Sequence, residues 1–201
     1  MADIVRNHWP PWTGLCKAKD AGIFVISSSL DATYGFKFQG LGRSPLADPN
    51  YFYSYDPGVW WATQFYAGQR FTDRLLIPMD SRTTAGPGGL NEFVFYRQGG
   101  WSWSIPYLAG MYALAAQLKP TITPGEFWAL TMKTGQTIPL KHESEMIPFG
   151  PILDPVALDL GIEIIELSPR AALIIIRMPD IYDIYQTLPC FLALSTTEIV
   201  R

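Results

Sequence analysis

The chain has 201 residues, 48% of them hydrophobic and 16% charged, with a formal net charge of −3. That length supports one domain with a sizeable core. The weak negative charge leaves no electrostatic footprint for nucleic acid or an anionic membrane surface, and no run approaches the roughly 18 apolar residues of a membrane span.

The opening Met-Ala-Asp-Ile-Val-Arg-Asn-His-Trp-Pro-Pro has no apolar stretch of signal-peptide length, so the chain as written is expected to be soluble and cytoplasmic. Residues 14–21 read as the end of a helix closed by Gly22 at its C′ position. Gly22-Ile-Phe-Val-Ile-Ser27 is a short apolar run with β-branched and aromatic members, which predicts a strand buried on both faces of a parallel sheet. Residues 31–57 are rich in Gly, Pro, Asp, Asn and Tyr without a period, and predict a long loop of the functional kind. Trp60–Tyr66 fits a helical turn or a strand. Leu75-Leu-Ile-Pro-Met79 is strand-like, with its Pro at the end or on an edge. Ser81–Leu90 has turn composition, and Phe93–Tyr96 is a short strand.

From Trp103 to Leu118 the pattern is helical, with Pro106 expected in the first turn. Ala109, Gly110, Ala113 and Ala116 put small side chains on one face. The helix is apolar almost all round, which predicts a buried central position. Thr123-Pro-Gly-Glu126 combines an N-cap, a Pro at N1 and a Glu at N3; it predicts a second helix to about Met132, ended by Gly135. Residues 136–153 read as a hairpin, and Asp154-Pro-Val-Ala-Leu opens a last short helix. The character then shifts: Gly161–Ile165 and Ala171–Met178 look like two strands. This organisation suggests a domain over residues 1–158 and an extension over 159–201 that matches no known arrangement. Cys16 and Cys190 fit no metal or redox spacing and are expected to be buried free thiols.

The chemistry concentrates before the central helix. A nucleophilic Ser works best at a helix N-terminus, where free N–H groups and the helix dipole favour the anion of a tetrahedral intermediate. Ser102 follows Gly99-Gly100 and precedes such a helix. The alternative is that Ser102 and Ser104 are N-caps and the glycines a turn.

Gly100-Trp-Ser-Trp-Ser-Ile-Pro-Tyr-Leu-Ala-Gly110 resembles the nucleophile segment of subtilisin-like serine peptidases, Gly-Thr-Ser-Met-Ala-Ser/Thr-Pro-His-Val-Ala-Gly. Gly100, Ser102, Pro106, Ala109 and Gly110 match, and Leu108 replaces Val. Trp101, Trp103, Ser104, Ile105 and Tyr107 depart from it. The following helix and Lys119-Pro-Thr-Ile-Thr-Pro-Gly-Glu also resemble the family, whose next helix starts at a comparable turn. Upstream, Ala21–Asp31 resembles the family strand Gly-Val-x-Val-Val-Ala-Ala-Ala-Gly-Asn, and Leu75–Met79 the strand before the nucleophile loop. The resemblance spans about residues 15–158, the C-terminal half of a subtilase domain, and is nearest to a divergent bacterial branch with Trp-rich nucleophile segments.

This resemblance implies an α/β fold, a partial three-layer parallel sheet with a buried nucleophile helix, and hydrolysis of polypeptides at Ser102. It puts Asp31 where the family has the Asn that donates to the oxyanion; a carboxyl there donates only when protonated. It makes Ser27, Ser28 and Ser29 the wall of the specificity pocket. No cofactor and no metal are implied. The family's Asp-(Ser/Thr)-Gly and His-Gly-Thr-His are absent. His8 and His142 stand in unrelated contexts and are expected to be ordinary surface histidines. Without a base a Ser hydroxyl is a poor nucleophile, so the chain alone is expected to be inactive and to need an N-terminal subtilase half as partner. The alternative is a non-catalytic peptide- or protein-binding module. Trp60, Trp61, Trp101 and Trp103 would serve it as an aromatic surface, or are packing rings. Half a parallel sheet leaves an open edge, so oligomerisation or cover by the tail beyond Leu158 is expected.

Overall fold

The structure, a computed structural model, describes residues 11–167. Helix α1 (Pro11–Asp20) ends as its sequence predicts. Gly22 takes φ +79, its N–H donates to Lys19 O at 2.9 Å, and the Ile23 N–H donates to Ala18 O at 2.9 Å. This paired closure needs a left-handed residue, which Gly adopts without a Cβ penalty. Cys16 on this helix is a free thiol and is exposed, not buried as expected; Cys190 lies outside the described residues.

The run Gly22–Ser27 is not a strand. Nor is it buried on both faces: Phe24 and Ile26 pack half-buried against the core, whereas Ile23 is exposed. The backbone is satisfied otherwise: the Val25 N–H donates to the Tyr34 hydroxyl at 3.1 Å, and that hydroxyl donates to Ile23 O at 3.3 Å. One tyrosine takes up bonds that a neighbouring strand would have made.

Residues 31–57, expected as loop, carry most of helix α2 (Leu30–Tyr34), strand β1 (Phe38–Arg43), a 3₁₀ turn (Phe52–Ser54) and strand β2 (Tyr55–Pro57). β1 carries no alternating strand pattern because it is buried on both faces, and it contains Gly40 and Gly42, which depress strand propensity. Gly40 is required: a Cβ there would overlap the Met79 side chain.

β1 lies in a five-stranded sheet with β3 (Leu75–Pro78), β6 (Gln136–His142) and β7 (Glu145–Ile152), in the order β2-β1-β3-β7-β6. β1, β3 and β7 are mutually parallel. β2 and β6 pair antiparallel at the two ends. The fold is therefore mixed α/β with a parallel centre. The open parallel edge expected from the sequence is not present among the described residues, because an antiparallel strand, β2 or β6, lies at each side. A second, two-stranded antiparallel sheet joins β4 (Arg82–Ala85) to β5 (Phe93–Tyr96); β4 occupies the first half of what composition predicted as turn.

Helices cover the main sheet on both faces. On one face, α4 (Trp101–Leu118), α5 (Pro124–Thr134) and α6 (Pro155–Leu167) pack Leu108, Met111, Phe127 and Leu158 against Leu75 and Ile77 of β3. On the other, Trp61 and Phe65 of and beside α3 (Ala62–Tyr66) pack with Leu41, Leu76 and Phe149. Trp61 settles its polar edge by donating from Nε1 to Gly40 O at 2.7 Å. α5 has the expected capping box: the Thr123 hydroxyl accepts from the Glu126 N–H, and the Glu126 carboxylate accepts from the Thr123 N–H at 2.8 Å.

Three further expectations are corrected. α4 is buried on one side only: Ser104, Leu108, Met111 and Ala115 face the core, whereas Ala109, Gly110, Ala113 and Leu114 are exposed. Its all-round apolarity concealed that the i, i+4, i+7, i+11 row carries the packing. Pro106 lies in the second turn rather than the first, since α4 begins at Trp101; its missing N–H leaves the Ser102 carbonyl without a helical donor near the exposed end. Gly161–Ile165, expected as a strand, belongs to α6, which runs across residue 158. Asp154 caps α6 by accepting the Ala157 N–H at 3.0 Å, and Leu158 and Ile162, one turn apart, are buried in the core. The expected strand Ala171–Met178 lies outside the described residues. Among the described residues no helix is long and apolar enough to cross a membrane.

Candidate functional site

The site is built at the C-terminal ends of the central strands, where β3 hands the chain on and α4 begins. Pro78 ends β3, and Met79, Asp80 and Ser81 follow it. The Asp80 Oδ1 accepts the Gly99 N–H at 2.8 Å. The Gly99 carbonyl accepts from Trp60 Nε1 at 3.3 Å. A Cβ on Gly99 would collide with the Met79 carbonyl. Only glycine fits between these partners, and they hold the chain in place one residue before the helix N-cap, Gly100.

The first turn of α4 is fastened to the same strand end. The buried Ser104 hydroxyl donates to Pro78 O at 3.3 Å, with Ile77 O at 3.5 Å. Ser104 is thus a tether, not an N-cap. Ser102 in the same turn is exposed; the N–H groups of a first helical turn lack i−4 acceptors, and here the Trp103 N–H donates to Gly100 O at 2.9 Å. Trp103 leans on Tyr96 of β5, ring centroids 4.6 Å apart, and does not bury Ser102.

No side chain among the described residues hydrogen-bonds the Ser102 hydroxyl. His142 is half-buried at the tip of β6, stacked on Tyr66 with centroids 4.0 Å apart, and makes no bond to Ser102. His8 lies outside the described residues. Asp31 is exposed in the first turn of α2, and no hydrogen bond joins it to Ser102. Ser28 and Ser29 are exposed, and the Ser27 hydroxyl accepts the Ser29 N–H at 3.2 Å, a local turn contact. Of the residues the sequence singled out, the structure therefore assembles the Gly99–Ser104 segment alone. Trp61 is core packing; Trp60 and Trp101 remain exposed.

Several residues of the site had no motif to announce them. Asp80 is held above the usual carboxylate range, chiefly by burial, against the opposing effects of the Gly99 and Arg43 backbone donors and the Arg43 charge. Its only sequence signal is an acid directly after a strand-ending Pro-Met. Ser81 takes φ +56, unusual for a non-glycine residue. Its hydroxyl donates to Arg43 O at 2.8 Å, and Arg43 donates back to Ser81 O at 2.8 Å and to Ala47 O. Next to it, the Arg82 guanidinium lies 4.9 Å above the Tyr107 ring. Burial pushes the Tyr107 hydroxyl up to about 12, with Tyr55 and Asp154 adding and Arg82 opposing.

Comparison with models of protein families, with curated proteins and with solved structures finds no match to this chain.

Proposed function

We propose that this chain is the nucleophile-bearing half of a subtilisin-like serine endopeptidase, with a three-layer α/β arrangement of that type and Ser102 as its nucleophile. The observation that carries the reading is the placement of Ser102: exposed in the first turn of an 18-residue helix whose entry is pinned by Asp80, Trp60 and Ser104. Peptide hydrolysis needs a hydroxyl aimed at a carbonyl, donors for the oxyanion and a base. In this reading the pinned helix start presents the exposed Ser102 hydroxyl, with the Ser102 N–H as the oxyanion donor, since the Trp103 N–H is taken by Gly100 O. The base must come from a partner carrying the family's Asp and His, and the polypeptide substrate lies between the two parts. The exposed outer face of α4, with Ala109, Gly110, Ala113 and Leu114 open, is where such a partner fits. Asp31 and Ser27–Ser29 then act only if the partner reorders α2 and the segment before it.

A fluorophosphonate probe tests this. It should label Ser102 when the chain is mixed with a subtilase N-terminal half bearing Asp-(Ser/Thr)-Gly and His-Gly-Thr-His, and not label Ser102→Ala. Absence of labelling in that mixture overturns the peptidase reading. One observation favours the second reading, a non-catalytic binding module: the Ser102 hydroxyl has no hydrogen-bonding side chain among the described residues.

A further inference from the structure

Beside the first turns of α4 lies a cavity of about 440 Å³ lined by Arg43, Pro49, Arg82, Trp103, Pro106 and Tyr107, with the Thr83 and Thr84 hydroxyls on its β4 side. Its size falls in the range of small-ligand pockets. We infer that it binds a carboxylate carried on an aromatic or large apolar residue, the C-terminal end of a peptide being the simplest such group.

Two features fix the chemistry. The first is charge. Two guanidinium groups line the cavity and no acid does, in a chain that is acidic overall. Arg43 is tied to the Ser81 and Ala47 carbonyls, and the Asp80 carboxyl acts on its charge from outside the lining. The Arg82 side chain has no ion pair and no hydrogen bond among the described residues; its planar fork of donors is free for a carboxylate, which it matches in a bidentate manner. The nearest acids, Asp48, Asp80 and Asp154, act on neighbouring Tyr55, Arg43 and Tyr107 from outside the lining.

The second is preorganisation. Arg82 sits opposite Tyr96 in the β4–β5 register. Tyr96 packs on Trp103, and Arg82 stacks on Tyr107. The cation is thereby held over an aromatic face, which fixes the guanidinium without using its donors. Trp103, Tyr107, Pro49 and Pro106 give the apolar walls that a bare anion would not need. Pro106 and Ser102 are one turn apart on α4, so the cavity opens beside the Ser102 turn. The inference does not depend on Ser102 being a nucleophile.

Calorimetric titration of the full chain at low ionic strength tests it, with N-acetyl-phenylalanine, its C-terminal amide and inorganic phosphate as probes. The acid should bind at least tenfold more tightly than the amide and than phosphate. Arg82→Met, which keeps the apolar stem, should weaken the acid about tenfold or more and leave the amide unchanged. Equal binding of acid and amide, tighter binding of phosphate, no binding of the acid in the millimolar range, or an unaltered affinity in Arg82→Met each overturns it. Should that variant fold poorly, the comparison of the three probes on the unaltered protein decides by itself.

Discussion

The Gly99 N–H donates to the Asp80 carboxylate at 2.8 Å, and through that bond the end of β3 sets the path of the chain into α4. Nineteen residues and a whole hairpin separate the two in sequence. The geometry at Ser102 is thus set by a non-local contact as well as by its own helix.

Gly99→Ala tests that contact sterically. The added Cβ meets the Met79 carbonyl, a backbone atom that cannot swing away. Overpacking of this kind costs about 1–3 kcal/mol. A lowered urea midpoint with an unchanged slope is the expected outcome, and Gly100→Ala, where a Cβ has only contacts of 3.9 Å and beyond, should cost less.

Asp80→Asn tests it electrostatically. Asn keeps an acceptor for Gly99 but has no charge to desolvate. Because burial raises the Asp80 carboxyl in the folded state, the native protein binds the proton more tightly than the unfolded chain does. The wild type therefore loses stability as pH rises from the ordinary carboxylate value through the folded one. Asp80→Asn should be as stable as wild type or more so at neutral pH, with the difference vanishing below about pH 4. Thermal midpoints over that range give the comparison; a variant that is less stable at neutral pH and no better in acid contradicts it.

The capping box of α5 predicts the opposite sign. The Thr123 backbone and hydroxyl hold the Glu126 carboxyl below its ordinary value, so its contribution is present above the ordinary Glu range and fades as pH falls through the folded value. Thr123→Ala should cost about 1 kcal/mol at neutral pH, and the cost should shrink in acid. Denaturant midpoints at two pH values measure it.

The one-sided burial of α4 makes a further prediction. Leu108→Ala should destabilise by about 2–5 kcal/mol. Leu114→Asp, on the 48% exposed side, should leave the isolated chain within about 0.5 kcal/mol of wild type. If a partner covers this face, the same variant should abolish co-assembly in a sedimentation or labelling experiment with the N-terminal half.

Much of the fold was legible where local chemistry decided the structure. Gly22 closes α1, Thr123 with Glu126 opens α5, and residues 136–153 form the expected hairpin of β6 and β7. Legibility failed where burial carried no direction. The Gly22–Ser27 run packs Phe24 and Ile26 against the core, but Tyr34, nine residues from Val25, takes its hydrogen bonds. β1 lacks alternation because both its faces are covered. Gly161-Ile-Glu-Ile-Ile165 has a strand-like local pattern because its β-branched residues flank a single acid; Asp154, seven residues earlier, is the signal that makes it a helix. At the site, Ser102 was legible from Gly99-Gly100 and the helix behind it. Asp80, Trp60 and Arg82 were not, since each reaches it across the sheet or the hairpin rather than along the chain.

The position of α6 has a consequence for how the protein is made. Leu158 and Ile162 are 0% and 1% exposed in the core beneath α5, and a Cβ on Gly161 would press on Leu130 at 3.1 Å. The parallel pairing of β3 with β7 likewise waits for residue 152. During synthesis the chain can therefore close α4 and α5 from local contacts, but it holds an unfinished apolar face until residue 162 has emerged. Removing everything from residue 160 onward would take away Ile162 as well as the tail, and the resulting chain would remain in that unfinished condition permanently.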